Sequence, residues 1–148
     1  MGDCMDLQYF ADLSHDSMKL EDLTELFNAV DWPHAEYPDK LSSSLKNSQE
    51  LVTVYDGDSL VGLANAVGDK NFYAYIHWLI VHPKYQGKGI ARKLATMLLD
   101  KLETCNQVFV IAESNLVKFW ESFGFIILSD PKGGKLIAAY RGGPKLSK

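Results

Sequence analysis

WLIVHPKYQGKGIARKLATMLLDKL, residues Trp78 to Leu102, decides how the chain is read. Trp78, Leu79, Ile80 and Val81 form a short apolar run with the character of a buried strand. A basic, glycine-bearing turn follows, from Lys84 to Gly89. Ile90, Leu94, Met97, Leu98 and Leu102 then recur at helical spacing. A strand feeding a glycine turn that opens a helix makes an anion site. The first backbone N–H groups of the helix have no internal partner, and the helix dipole adds positive potential there. Gly87 and Gly89 lack a Cβ, so an anion can approach the backbone closely. Lys84, Lys88, Arg92 and Lys93 add charge around it. Such a site suits a phosphorylated cofactor. It is neither a P-loop, which needs two glycines five apart followed by Lys and Ser or Thr, nor a dinucleotide fingerprint, whose third small residue is replaced here by Arg92.

The fuller pattern is Val81-His82-Pro83, then Gln86-x-x-Gly89-x-Ala91, then a helix carrying Leu94. It resembles the acetyl-CoA signature of the GNAT superfamily of N-acetyltransferases; the alternative for the same residues is a strand-turn-helix without a ligand. The resemblance covers about residues 17 to 140. Leu51–Tyr55, an Asp56-Gly57-Asp58 turn and Leu60–Val67 read as a hairpin, similar to the family's second and third strands. Val108–Ala112 resembles the fifth strand, Leu116–Phe123 the helix after it, and Gly124-Phe125 the dipeptide that ends that helix. Trp32–Ser48, leading into Ser-x-x-Leu-Val, is similar to the aralkylamine and serotonin acetyltransferase-like branch. The resemblance implies a single-domain α/β fold spanning residues 1–148, with a core of about 5–140 and a loose tail over 141–148. Its mixed, mostly antiparallel sheet would splay between the fourth and fifth strands and carry helices on both faces.

Other local signals fill in the order of elements. Gln8–Ala11 reads as a first strand. Leu20, Leu23, Phe27 and Val30 make an amphipathic helix that Pro33 stops, and Pro38–Lys46 a second, shorter one. A long strand runs from Phe72 to Val81, the glycine-turn helix spans about Gly89–Glu103, and two short strands close the chain, the last ending near Tyr140. A hydrophobic fraction of 47% over 148 residues suits one packed core. Two cysteines, Cys4 and Cys105, make no disulfide framework, which points to the reducing cytoplasm. No apolar run suggests a signal peptide or membrane span, and no His/Cys spacing suggests a metal. A net charge of −4 excludes a general nucleic-acid binder and suits a cationic small-molecule amine as partner. Either a monomer or a homodimer is compatible with these features.

What the resemblance implies for individual residues is more specific. Acetyl-CoA would be the acetyl donor. Backbone groups of Leu79 and Val81 would hold the pantetheine arm, and the amides of Gln86, Gly87, Lys88, Gly89, Ile90, Ala91 and Arg92 the pyrophosphate. His77 is the candidate base for the acceptor amine. A strict period of two puts it and Tyr75 on the face of Leu79 and Val81, and the aralkylamine branch carries histidines at both positions. The competing use of His77 is a core histidine bonded to backbone. His82 would pack or cap the loop. Trp120 stands where many members carry the tyrosine that protonates the departing thiolate; indole N–H can donate a hydrogen bond but is no practical acid. Trp120 would then wall the pantetheine slot, leaving Tyr75, Tyr140 or water as the acid, or an unprotonated thiolate. Glu113 and Ser114 sit nearer than Asn115 to the expected pantetheine contact. Trp32 and Tyr37, flanking Glu36, would bind the amine by cation–π and charge contacts; the competing reading is a loop that Trp32 anchors in the core. Three readings follow: direct transfer to a primary amine, transfer to a protein or peptide amine, or a non-catalytic acyl-CoA-binding module.

Overall fold

The computed structural model describes residues 5–11, 18–128 and 136–142. Among these residues seven strands form one sheet in the order β1-β2-β3-β4-β5-β7-β6. Among the described pairs only β4–β5 is parallel. β1 (Leu7–Phe10) flanks β2 (Glu50–Asp56), which turns at Gly57 into β3 (Ser59–Gly68). β4 is Tyr73–Val81 and β5 Gln107–Glu113, while β6 (Ile126–Ile127) and β7 (Leu136–Gly142) close the far side. The expected boundaries hold to within a few residues. Residues 143–148 of the expected tail, and Cys4, lie outside the described residues.

The helices divide between the two faces of the sheet. α1 (Leu20–Ala29) and α2 (Pro38–Lys46), with a 3-10 turn at Pro33–Glu36 between them, cover one face. Their Leu23, Leu26, Phe27, Leu41 and Leu45 pack against Leu63, Trp78 and Ile80. α3 (Ile90–Lys101) and α4 (Val117–Glu121) cover the other. There Ile90, Leu94, Leu98 and Trp120 pack on Val54, Ala66, Ile76 and Val110. Leu94 and Leu98, both fully buried, each contribute about 1.5–3 kcal/mol by the transfer scale. This amphipathic stripe fixes α3 on the sheet and with it the position of its N-terminus.

β4 does not keep a period of two. Asn65 of β3 pairs with Trp78, and Ala66 with Ile76, so His77 is an extra residue, a β-bulge. Ala74 and Ile76 therefore share the α3 face with Leu79 and Val81, while Trp78 and Ile80 turn to the α1–α2 face. Tyr75, between Ala74 and Ile76, points away from the α3 face. The expectation that Tyr75 and His77 lie with Leu79 and Val81 is corrected by this one-residue insertion.

A side chain supports the bulge. Asn65, fully buried, accepts a hydrogen bond at Oδ1 from the Trp78 N–H at 2.9 Å and donates from Nδ2 to Ser48 Oγ at 2.9 Å. Pairing between β4 and β5 runs from Tyr73–Gln107 to Ile76–Val110 and stops there. The bulge and the divergence of the two strands begin at the same place. A bulge bends its strand and increases local twist, which carries Leu79–Val81 away from Ile111–Glu113.

Candidate active site

Two cavities meet at His77. The first, about 580 Å³, fills the gap between the diverging strands; Leu79, Val81, Ala91, Ala112, Glu113 and Trp120 line it. β4 has no β5 partner along this stretch, so an extended amide-bearing arm can take the place of a strand there. The second, about 410 Å³, lies under α2 and is lined by His34, Tyr37, Lys40, Ser44 and Trp78. His77 belongs to the walls of both.

The slot ends at the glycine turn. Gly87 and Gly89 adopt φ values of 77° and 80°, in the left-handed region that disfavours any side chain. A Cβ built on either would meet nothing within 4 Å, so the space before them is open. Gly89 is the N-cap of α3 and brings no side chain to the first-turn amides. Those amides are free to bind an anion. The Gln86 side chain braces the turn against β4: its Nε2 donates to the Val81 carbonyl at 3.1 Å. The His82 side chain caps the same turn, accepting at Nδ1 from the Lys84 N–H. Arg92 reaches across to α4, where it bonds Ser122 Oγ at 3.1 Å and lies 4.9 Å from the Phe123 ring centroid. Lys88 is exposed beside the turn, and Ile90 is buried in the core, so only its backbone can serve a ligand.

Trp120 lines the slot at 2% exposure, and its Nε1 has no hydrogen-bond partner among the described residues. A buried, unpaired indole N–H is costly, on the order of 1–3 kcal/mol, unless something binds it. The open glycine cradle, the unpaired β4 edge and this orphaned donor together fit a ligand with a pyrophosphate at one end and an amide-bearing arm at the other, which is the make-up of coenzyme A.

Matches to known proteins agree with that geometry. The family model described as "Acetyltransferase (GNAT) domain" matches residues 17–139. The chain belongs to the GNAT acetyltransferase family. It is 31% identical over 128 residues to an uncharacterised N-acetyltransferase, ycf52, of Pyropia yezoensis, covering 82% of this chain and 72% of that one. It is 32% identical to the chloroplastic GCN5-related N-acetyltransferase 2 of Arabidopsis thaliana, covering 77% of this chain but 52% of that protein. Among solved structures, the GNAT family protein SP0256 of Streptococcus pneumoniae superposes with a TM-score of 0.70 at 32% identity, over 82% of this chain and 89% of that one. The chain is thus an acyltransferase of the GNAT type with the family's α/β fold.

Within this GNAT site, His77 is half-buried and stacked on the Trp78 indole, 4.2 Å between ring centroids. Burial pushes its pKa below the ordinary histidine value, and the electrostatic influence of His34 lowers it further. The imidazole is therefore neutral at pH 7 and able to accept a proton. Tyr75 stands 5.9 Å from the His77 ring but lines neither cavity. Tyr140 packs on Phe109, also outside both. Trp32, expected in an amine pocket, contributes to the slot instead; Tyr37 lines the second cavity, and Glu36 lines neither. Asn115 and Glu113 both reach the slot. Among the described residues no cluster of His, Cys, Asp or Glu could hold a metal, and no helix is long and apolar enough to cross a membrane.

Sequence reasoning missed Asn65, Ser48 and Lys40. Asn65 did leave a signal: it is a lone amide in the apolar run Leu60–Val67, where a buried polar group needs partners.

Proposed function

We propose that this acetyltransferase moves the acetyl group of acetyl-CoA to a primary amine by direct transfer, with the donor in the slot and the acceptor in the cavity under α2. The observation that carries this reading is that His77 forms part of both walls. A base in that position can reach an amine on one side as it approaches a thioester on the other. Acetyl-CoA supplies an activated acyl carbon and a thiolate leaving group. The protein holds its phosphates on the amides from Gly87 to Arg92 and its arm along Leu79 and Val81, and Trp120 Nε1 donates to it. His77 takes the ammonium proton before or during attack. Neither Tyr75 nor Tyr140 lines the slot, so we assign protonation of the thiolate to water.

The acceptor we favour is a small molecule, because the cavity under α2 has a ligand-sized volume. Its ring-bearing walls, Tyr37 and Trp78, suit an acceptor with an aromatic body. A reducing compartment such as the cytoplasm suits the buried thiol of Cys105, which accepts from Gln49 Nε2.

Thiol release from acetyl-CoA over a panel of amines tests the reading, together with thermal stabilisation by the donor. At about 100 times its dissociation constant acetyl-CoA should add about 2.7 kcal/mol of stability. Gly89→Glu should abolish that shift by placing a carboxylate in the cradle, whereas Gly89→Ala, with the same backbone strain, should retain part of it. Normal donor binding by a folded Gly89→Glu protein would place the cradle elsewhere.

A further inference from the structure

The charges lining the acceptor cavity do not match a simple cationic amine. Its lining includes Lys40 and His34 and no aspartate or glutamate among the described residues. Glu36 and Asp39 belong to the same segment, yet neither faces the cavity. His34 and His77 line this cavity together, and His34 contributes to the lowered pKa of His77. The remaining walls are ring-bearing or apolar: Tyr37, Leu41 and Trp78. Ser44, one helical turn beyond Lys40, offers a hydroxyl on the same side of α2.

We propose that the acceptor is an amine that also carries a carboxylate, on an aromatic or apolar body, with Lys40 and Ser44 holding the carboxylate and His77 facing the amine. The assignment rests on the transfer reading above and makes Lys40 a specificity-determining residue. An apolar ring fills the space between Tyr37 and Trp78. The carboxylate gains a charge-assisted contact at Lys40. A bare ammonium would instead meet Lys40, like charge on like, with no carboxylate in the wall to offset it. The same positive surroundings favour the neutral, nucleophilic form of the acceptor amine, because nearby positive charge disfavours a second one.

Two probes with the same ring and chain but opposite charge test this: 3-phenylpropionate and phenethylamine. Their affinities for the full chain saturated with coenzyme A are measured by titration calorimetry at pH 7, and turnover is compared for phenylalanine and phenethylamine. The carboxylate should bind about two- to five-fold more tightly than the amine, the range of an exposed charge pair. Lys40→Gln should level the pair and Lys40→Glu should reverse it, with phenylalanine losing its advantage in kcat/KM in parallel. A tighter phenethylamine complex in the unaltered protein, or a preference unmoved by Lys40→Glu, overturns the assignment. Donor binding separates the two failures. If acetyl-CoA stabilises the protein and amines are acetylated while phenethylamine is preferred, the carboxylate assignment alone falls. If acetyl-CoA neither binds nor is consumed, the transfer reading falls with it.

Discussion

Asn65→Leu is the substitution that tests the link between sequence and site most directly. Leucine repeats the branching of asparagine at Cγ but is bulkier, so overpacking adds to the loss at this fully buried position. What is lost is chemistry: the buried Trp78 N–H loses its acceptor, and Ser48 Oγ loses its donor. An orphaned buried N–H costs about 1–3 kcal/mol, and the second lost bond adds about 1. A destabilisation of about 2–4 kcal/mol is therefore expected. For a chain of this size each kcal/mol lowers Tm by about 2–4 °C, so a fall on the order of 10 °C should be seen by circular dichroism. The bulge should relax at the same time. His77 would return toward the ladder and the β4–β5 gap would narrow, so the KM for acetyl-CoA should rise while kcat falls. Asn65→Asp keeps the acceptor oxygen but buries a carboxyl, and its stability deficit should shrink at acid pH, where that carboxyl is neutral. An Asn65→Leu protein within about 0.5 kcal/mol of the original, or one destabilised with unchanged kcat and KM, would refute the idea that this amide sets the bulge.

His77→Gln should lower turnover at pH 7 by about 10² to 10⁴ with little change in donor affinity, and should remove the acid limb of the pH–rate profile. In the unaltered protein that limb should fall below the ordinary histidine pKa of about 6.5, because burial and His34 lower the His77 pKa; a limb above it would exclude His77. The same shift has a sign for stability. Between the folded and unfolded pKa values the unfolded chain binds more protons, so the contribution of His77 is lost as pH falls from about 6.5 through the folded value, which acid titration of the His77→Gln protein should not show. Trp120→Phe removes the orphaned N–H: the unliganded protein should lose little stability, while the dissociation constant for acetyl-CoA should rise several-fold. If calorimetry finds donor affinity unchanged, Nε1 has no ligand. Trp120→Tyr raises turnover only if thiolate release limits the rate; a flat result assigns Trp120 to packing.

The glycine turn and its helix were legible because they combine two strong local signals, glycines at positive φ and an apolar stripe of period near 3.6. The hairpin was legible for the same kind of reason, a turn dipeptide between two apolar runs. The bulge was not. β4 is covered by helices on both faces, so Ala74, Ile76, Trp78 and Ile80 are all buried apolar residues and carry no mark of phase. A period-two count through such a strand cannot detect one extra residue, and the facing of Tyr75 and His77 was misread in consequence. The second cavity was also hidden. Tyr37, Lys40, Leu41 and Ser44 share a helical face, but a lysine and a serine at that spacing look like any solvated helix surface until α2 is seen to stand over His77. The aromatic loop drew attention instead, and of its residues Trp32 went to the slot and Tyr37 to the cavity.

The outermost strands have a consequence for handling the protein. Among the described residues, a sheet whose interior strand β3 runs ten residues ends in β1, four residues long, and β6, two residues long. Unpaired backbone at a sheet margin is a template for another chain, and its reach depends on how many consecutive residues it offers. Margins this short give an incoming strand little to zip onto, even though Ile126 of β6 and Leu128 just after it are largely exposed. Lengthening β6 with further β-branched residues would give neighbouring molecules that template, and the first symptom would be concentration-dependent precipitation rather than loss of fold.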